Sequence, residues 1–352
     1  MIQRTEQRTE RCVHVLNRAL HQLFEDCPDT YLLGEDIIDP YGGAFKVSHG
    51  LSTRWPDRVL TTPISEAAIV GIANGMALRG MRPIVEIMFG DFITLCADQI
   101  INYAAKFRQM YNDQTRCPVV IRTPMGGRRG YGPTHSQTME RLFLSVSDLT
   151  ILAPSHLHEL GEALIHVTRH GAGPTLFVEN KVMYGEFHAP PQAGRAGLFS
   201  CRHLGEAPLD TLYLSLTDFE YSDATILCYG GMAGIAMQAA EQLLLEHEIS
   251  CELLIPCCIK PLPHDGFAEA LERSGRLVVV EEGPLTGGWG AEVAAQVQER
   301  YWPQLRGPVT RVAAKDGIIP CARPLEDMVL PQKEDLMLAV IRAVSGAKVG
   351  QL

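Results

Sequence analysis

The sequence has no long apolar run and no run of basic residues. Its 352 residues contain no stretch of about 20 apolar residues, which is the length that a membrane-spanning helix needs. The formal net charge is -10, whereas a surface that follows nucleic-acid phosphates needs clustered Lys and Arg side chains. We therefore expect no membrane segment and no binding to nucleic acid.

Paired cysteines and a signal sequence are also missing. The ten cysteines are scattered without a C-x-x-C pair, and the adjacent Cys257 and Cys258 lie among apolar residues. We interpret these two as buried thiols of a reducing compartment. The opening residues MIQRTEQRTER are charged and lack the apolar segment of a secretory signal. These features predict a protein of the cytoplasm or of an organellar matrix, and we take the cytoplasm as the expectation.

The usual nucleotide-binding patterns are incomplete. The segment GGMAG at 230–234 does not have the G-x-G-x-x-G spacing of a nicotinamide site. EEGPLTGGWGAEVA at 281–294 lacks the Walker lysine, although its glycine-rich turn before a helix could bind an anion. His156 and His158 are interpreted as surface residues rather than metal ligands, because their spacing does not suit a shared metal.

What the chain does contain is a repeated alternation of strands and helices. Apolar runs typical of strands buried on both faces occur at 58–62, 83–89, 118–124, 149–154, 175–180, 224–230, 251–256 and 276–282. Helical patterns occur at 65–78, 92–111, 157–169, before 246, at 267–273 and from about 334. This alternation predicts an α/β fold with mostly parallel sheets flanked by helices.

The length and a lapse in the pattern predict two domains. A chain of 352 residues exceeds the size at which single cores usually stop growing, about 250 residues. The stretch from 186 to 221 contains scattered Pro and Gly without a sustained period, so we interpret it as an interdomain connection. The predicted domains are 1–185 and 222–352.

Three segments after predicted strands could carry chemistry. Glu66 opens a helix of small apolar residues that we expect to be buried on all sides. It is either an acid that caps the helix beside Ser65 or a carboxyl tuned by burial for proton transfer. Phe92 follows a strand end, where it could stack on a planar ring or pack in the core. His135 lies in a loop rich in Gly and Pro, where a functional role and a structural one are both open.

Taken together and in this order, the segments resemble one enzyme family. The stretches are GEDI (34–37), YGGAFKVSHGL (41–51), TPISEAAIVGIANGMALRGMRPIVEIMFGDF (62–92), DQIINYAAKFRQMY (98–111), THSQ (134–137), FVENKVMYG (177–185), VEEGPLTGGWGAEVA (280–294) and IIPCARPLEDMVLP (318–331). They are similar to the beta subunits of thiamine-diphosphate-dependent 2-oxoacid dehydrogenases of the pyruvate, branched-chain and acetoin type. This likeness extends over nearly the whole chain, from about 33 to 343.

The resemblance implies a fold and roles for particular residues. It implies a transketolase-like pyrimidine-binding domain followed by a transketolase C-terminal domain. Glu66 matches the glutamate that hydrogen-bonds the aminopyrimidine of thiamine diphosphate and so promotes loss of the thiazolium proton. Phe92 matches the aromatic residue that stacks on the pyrimidine, and Ile64 is assigned to cofactor binding with it. His135 matches the histidine that assists acyl transfer to a lipoyl group.

The resemblance also implies partners, because part of the cofactor site is missing. The only Gly-Asp pair is Gly90-Asp91, and the G-D-G motif with a later Asn pair that binds Mg²⁺ in such enzymes is absent. An alpha subunit is therefore expected to hold Mg²⁺ and the diphosphate in an α2β2 heterotetramer. The second domain would serve beta–beta association and docking of a lipoyl acyltransferase or carrier protein. No monovalent cation is assigned to the loop at 169–174.

The loop before His135 departs from the family, and this leaves the substrate open. Arg128 and Arg129 stand just before Tyr131 and His135, where relatives acting on small apolar oxoacids often have small or apolar residues. Arg128, Arg129 and Tyr131 are therefore the candidates for substrate binding. The arginines could bind an anionic group of the substrate, or they could be solvated or contact the alpha subunit. Two other functions remain open: a split transketolase-like enzyme that transfers a two-carbon unit, possibly to a carrier protein, and a non-catalytic scaffolding subunit.

Overall fold

The computed structural model describes residues 10–216 and 218–346, which form two α/β units. The first unit contains helices α1 (Cys12–Asp26), α2 (Leu51–Arg54), α3 (Glu66–Leu78), α4 (Phe107–Met110) and α5 (Leu160–His170) and strands β1 (Thr30–Gly34), β2 (Val59–Thr61), β3 (Arg82–Glu86), β4 (Val120–Met125), β5 (Thr150–Leu152) and β6 (Thr175–Asn180). The second contains strands β7 (Arg195–Ala196), β8 (Phe199–Leu204), β9 (Thr211–Ser215), β10 (Ala224–Cys228), β11 (Cys251–Pro256), β12 (Cys258–Lys260), β13 (Leu277–Pro284) and β14 (Thr310–Ala314) and helices α6 (Met232–His247), α7 (Phe267–Ser274), α8 (Trp289–Tyr301), α9 (Arg323–Val329) and α10 (Lys333–Ser345).

The first sheet is parallel apart from one edge strand. Its order is β12-β5-β6-β4-β3-β1-β2, and β12 pairs antiparallel with β5 although it comes from the second half of the chain. β4 and β6 are buried along nearly their whole length, as the continuous apolar runs predict. Because the neighbouring strands run in the same direction, their carboxyl ends meet at one edge, where ligands bind in such sheets.

The second sheet is parallel in one half and antiparallel in the other. Its order is β14-β13-β10-β11-β9-β8-β7, with antiparallel pairing from β11 through β9 and β8 to β7. The last three strands come from 186–221, the stretch interpreted as an interdomain connection. The connection therefore extends the second sheet. Its strands are short and follow turns at Gly and Pro, which is why no sustained period marked them in the sequence.

The long helix predicted at 92–111 is interrupted. The structure has a 3₁₀ segment Gly90–Cys96, a π-helical segment Gln99–Ala104 and the short helix α4 in its place. Within the π segment, the carbonyl oxygen of Gln99 accepts a bond of 2.9 Å from the side-chain amide of Asn74 on α3. A side chain that enters the hydrogen-bond ladder of a helix is one of the usual causes of such a break.

Two predictions about burial are wrong. His158 is only 2% exposed, and its ring nitrogens bond the backbone N–H of Ser155 at 3.0 Å and the carbonyl of Ile255 at 3.1 Å, so it is a core residue. Helix α3 is buried on one face only, and Ile72 on the other face is 54% exposed. The cysteine interpretation is correct for Cys257, which is fully buried with a free thiol, while Cys258 is half-buried.

Candidate active site

The chemistry-bearing side chains lie at the carboxyl edge of the first sheet. Glu35 directly follows β1, Glu66 follows β2, and the segment with Phe89 and Phe92 follows β3. The glycine-rich loop 126–137 follows β4, and Lys181 follows β6. These five strands are neighbours in the sheet, so segments that are far apart in the chain form one site.

Glu66 is the first residue of α3 and is 5% exposed. The Ser65 side chain makes no capping hydrogen bond, so the helix-capping interpretation has no support. Within 10–216 and 218–346, no hydrogen bond or ion pair involves the Glu66 carboxyl group. The Glu66 carboxyl group is therefore available to a hydrogen bond from another molecule.

A second carboxyl group lies beside Glu66. Glu35 is 6% exposed, and one of its oxygens has no hydrogen-bond partner. Burial raises the pKa of the Glu35 carboxyl, and the charge of Glu66 raises it further. Two like charges at close range favour retention of a proton by one of them. The pair can therefore hold or release a proton at this edge of the sheet.

Aromatic rings form the opposite wall of the site. Phe89 lies at the centre, and its ring centroid is 4.7 Å from that of His135, 6.0 Å from Phe92 and 5.8 Å from Tyr131, each in an edge-to-face arrangement. His135 also contacts Phe92 at 5.1 Å between centroids. Its Nδ1 lies 2.9 Å from the hydroxyl of Thr134. The structure thus brings Phe92, Tyr131 and His135 together, as predicted from the sequence.

The two arginines of the loop have different surroundings. The guanidinium group of Arg128 donates to the carbonyl of Pro331 at 2.5 Å and lies 3.4 Å from the Gln332 side chain, both at the start of α10. Arg129 is exposed and donates at 3.1 Å to the carbonyl oxygen of Lys181. The guanidinium group of Arg128 is thus bonded near α10, whereas that of Arg129 bonds the residue that follows β6.

Two carboxylates from the second unit hold the glycine-rich loop. Glu282 accepts a bond of 2.6 Å from the N–H of Gly127, and Glu326 accepts one of 2.7 Å from the N–H of Arg128. Both glutamates are nearly fully buried. Charge-assisted bonds to backbone N–H groups are among the stronger hydrogen bonds. The second unit thereby fixes the loop that carries Arg129, Tyr131 and His135.

A buried ion network supports the floor of the site. Arg122 is 1% exposed and donates at 2.9 Å from Nε to Glu179, with further bonds to Glu179 and Glu86. The hydroxyl of Tyr184 bonds Glu179 as well. Burial raises the pKa of the Glu86 carboxyl, although Arg122 opposes that shift. The network joins β3, β4 and β6, the strands from which the candidate segments continue.

The predicted anion site at 281–294 is filled by the protein itself. At the start of α8, the carboxylate of Glu281 accepts bonds from the N–H of Trp289 at 2.8 Å and of Gly290 at 2.7 Å. An internal carboxylate therefore takes the place of an external anion at this helix N-terminus.

The sequence pointed to Glu66, Phe92 and His135 but missed Glu35, Phe89 and Lys181. Glu35 and Lys181 did carry a signal, because each is a charged residue directly after a buried strand. No local pattern marked Glu326, because its contact with the loop joins residues 198 positions apart.

Comparisons with known proteins identify the family of each domain and the relatives of the chain. The chain matches "Transketolase, pyrimidine binding domain" over residues 11–186 and "Transketolase, C-terminal domain" over residues 216–336. It is 37% identical to "Pyruvate dehydrogenase E1 component subunit beta-1, mitochondrial" of Oryza sativa subsp. japonica, over 93% of this chain and 85% of the relative. The chain belongs to the beta subunits of the thiamine-diphosphate-dependent 2-oxoacid dehydrogenases.

A second relative supports membership of this beta-subunit family, and a solved structure shows a similar fold. The chain is 34% identical to "Acetoin:2,6-dichlorophenolindophenol oxidoreductase subunit beta" of Cupriavidus necator, over 95% of this chain and 97% of the relative. Its fold is similar to a solved "Split gene transketolase, inactive beta4 tetramer", with a TM-score of 0.69 and 20% identity over 94% of this chain and 97% of that chain. In the described part of the chain, no helix is long and apolar enough to cross a membrane.

Proposed function

We propose that this beta subunit contributes the proton-handling half of an active site for oxidative decarboxylation of a 2-oxoacid with acyl transfer to a lipoyl group. The observation that carries the proposal is the buried, unpartnered carboxyl group of Glu66 at the same sheet edge as Phe92 and His135. A carboxyl, a flat aromatic wall and an imidazole are what the pyrimidine half of thiamine diphosphate and its substrate require.

The residues of the site fit the pyrimidine part of the cofactor. When bound, thiamine diphosphate supplies a nucleophilic carbon and an acceptor for the electrons left by decarboxylation. Glu66 would bond the pyrimidine ring, Phe92 would stack on it, and the exposed Ile64 would cover it. Glu66 would hold and release the proton that sets the tautomer of the ring.

The metal and the diphosphate are assigned to an alpha subunit. Asp91, in the only Gly-Asp pair of the chain, accepts a hydrogen bond of 2.8 Å from the side-chain amide of Gln137. Its carboxylate therefore stabilises the loop just after His135. We propose that Mg²⁺ is bound by the partner chain, because the described residues contain no cluster of His, Cys, Asp or Glu side chains that could hold a metal ion.

Helix α3 offers the surface for that partner. Its face with Gly71, Ile72 and Gly75 is exposed, and a Cβ atom added at Gly75 would meet nothing within 4 Å. Glycine lowers helix stability by about 1 kcal/mol relative to alanine, yet no contact among the described residues of this chain requires a glycine at position 75. Close packing of another helix on this face would require a glycine there. This supports an alpha subunit at this face and an α2β2 assembly.

The remaining partners follow from the reaction. We propose a lipoyl acyltransferase or carrier protein as acyl acceptor and beta–beta association through the second domain. Pyruvate is proposed as donor because similar proteins carry the name pyruvate dehydrogenase. His135 would shuttle protons during acyl transfer, since its imidazole lies at the open end of the aromatic wall. A cytoplasmic location remains a prediction from the sequence.

A split transketolase-like activity is the second candidate, and Arg129 favours it. An exposed guanidinium group beside His135 would suit the phosphate of a sugar donor. Release of CO₂ separates the two functions, because transfer of a two-carbon ketol unit yields none.

The proposal is tested by replacing the carboxyl group of Glu66. In the complex reconstituted with the alpha subunit, Glu66→Gln should lower the rate of CO₂ release from pyruvate by about 100-fold or more, since acid–base catalysis contributes about 10²–10⁴-fold. Glu162→Gln, on the outer helix α5, is the matched control and should behave as wild type. Equal rates for Glu66→Gln and wild type would refute the assignment.

A further inference from the structure

Lys181 contacts three candidate residues of the glycine-rich loop: Arg129, Tyr131 and His135. Its ammonium group donates to the carbonyl oxygen of His135 and lies 5.4 Å from the ring centroid of Phe89 and 5.8 Å from that of Tyr131. Its own carbonyl oxygen accepts the bond from Arg129. Lys181 thus contacts the histidine, the tyrosine and the arginine that the loop presents at the site.

The burial of this charged ammonium group is energetically unfavourable. Lys181 is fully buried, and no carboxylate of the described residues lies within 4 Å of its nitrogen. Lysine is among the residues least often buried without an ion pair. Methionine has a similar length and would fill the same space without the cost of burying a charge. Packing alone therefore does not account for lysine at this position.

The charged groups around Lys181 come from four segments. Asp91 follows β3, Glu282 lies on β13, Glu326 lies on α9, and Arg129 lies in the glycine-rich loop. Burial lowers the pKa of the Lys181 ammonium to about 8; the three carboxylates oppose this shift and Arg129 adds to it. At pH 7 the side chain is still mostly protonated and can act as a charged donor.

We propose that protonated Lys181 is a positioning residue that fixes His135 and its loop for acyl transfer. The proposal rests on the proposed function, because it assigns the place of His135 in that reaction. Its physical basis is the charge-assisted bond to the His135 carbonyl, together with the two rings packed on the ammonium group. Displacing a catalytic group by about 1 Å can lower a rate by about 100-fold.

Two substitutions separate charge from shape in the reconstituted complex. Lys181→Met should lower the rate of acyl transfer to a lipoyl acceptor by about 10- to 100-fold, whereas Lys181→Arg should keep most of the wild-type rate. Lys106→Met, which removes an exposed lysine, is the matched control and should leave the rate unchanged. Equal rates for Lys181→Met and wild type would overturn the proposal.

The pH profile gives a readout that a role in packing would not change. In wild type, acyl transfer should decline as the pH rises through about 8, because the ammonium donor loses its proton. In Lys181→Arg the decline should move to higher pH, since guanidinium stays protonated. This comparison of wild type with Lys181→Arg does not need the Lys181→Met protein, so it tests the proposal even if Lys181→Met does not fold. An identical decline in wild type and Lys181→Arg would contradict the proposal.

Thermal unfolding distinguishes positioning from structural support. The native state disfavours the charged form of Lys181, so Lys181→Met should have a melting temperature at pH 7 equal to or above that of wild type. Amide hydrogen exchange in the segment 126–137 of the full chain should nevertheless become faster, and Lys106→Met should not change it. A lower melting temperature with unchanged exchange would overturn the proposal.

The proposed function and this inference fail in different ways. Reduction of 2,6-dichlorophenolindophenol by pyruvate reports donor oxidation without a lipoyl acceptor. If wild type shows neither this reaction nor CO₂ release, the proposed function fails. If wild type shows both and Lys181→Met transfers acyl groups at the wild-type rate, only the role of Lys181 fails.

Discussion

At the scale of single residues, the site depends on a few side chains that the fold buries without complete compensation. Glu35, Glu66 and Lys181 are all less than 10% exposed and lie at the ends of parallel strands. The nearby Arg122 is equally buried but is bonded to two carboxylates. This contrast separates their roles. The charge of Arg122 is neutralised by ion pairs within the chain, so Arg122 has a structural role. Within the described part of the chain, Glu35, Glu66 and Lys181 have no such ion pairs and are available to bind a ligand or to position the loop.

Arg129 is predicted to decide which donors are accepted. If its exposed guanidinium binds a second anionic group, Arg129→Gln should raise the KM for a dicarboxylic or phosphorylated oxoacid by about 10- to 100-fold, the loss of one hydrogen bond to a charged group. The KM for pyruvate should not change, and Arg129→Lys should have an intermediate effect. Steady-state kinetics with both donors test this expectation. An unchanged ratio of the two KM values would leave Arg129 as a solvated or partner-binding residue.

At the scale of elements, the start of α8 illustrates how a helix terminus can be satisfied internally. Glu281 is 2% exposed, and burial raises the pKa of its carboxyl to about 7, although the N–H groups of Trp289 and Gly290 oppose the shift. The native state therefore binds the proton more tightly than the unfolded chain. This contribution to stability is complete below the unfolded pKa of about 4.5 and is lost as the pH rises through about 7.

Glu281→Gln should accordingly flatten the pH dependence of stability. Between pH 5 and pH 7.5, the contribution of Glu281 to the free energy of unfolding of wild type should fall by up to about 3 kcal/mol, since one pKa unit corresponds to about 1.4 kcal/mol. Glu281→Gln should lose less over the same range. Melting temperatures at the two pH values measure the difference, with Glu299→Gln on the outside of α8 as control. The same loss in both variants would mean that Glu281 does not control it.

The elements also show what the sequence could predict. Buried parallel strands such as β4, β6 and β11 were predicted because they are continuous apolar runs between helices. β7, β8 and β9 were not, because edge strands in a segment interrupted by Gly and Pro have no clear period. For the site, Glu66 and His135 were predicted because they lie in the segments after β2 and β4 and match residues of the family that the sequence resembles. Contacts from distant elements, such as Glu326 with the loop, depend on tertiary structure and leave no local pattern.

At the scale of the whole molecule, the two units are coupled at the site. β12 of the second half completes the first sheet, and Glu282 and Glu326 hold the loop that carries His135. The second unit therefore fixes the position of the loop through two hydrogen bonds. The exposed apolar face of α3 lies on the first unit, on the same helix that begins at Glu66.

The α3 face gives a prediction about assembly that can be separated from folding. Gly75→Leu should leave the melting temperature of the isolated beta chain unchanged or raise it, because leucine favours helix over glycine by about 0.8–1 kcal/mol and no atom of this chain blocks its Cβ. The same substitution should abolish or strongly weaken association with the alpha subunit, since a leucine side chain separates helices that pack at glycine. Gly75→Ala adds only a methyl group and should weaken association less. Sedimentation of the mixed subunits measures the series. If Gly75→Leu assembled as well as wild type, the alpha subunit would have to bind elsewhere, and Glu66 would lack the neighbour that completes its site.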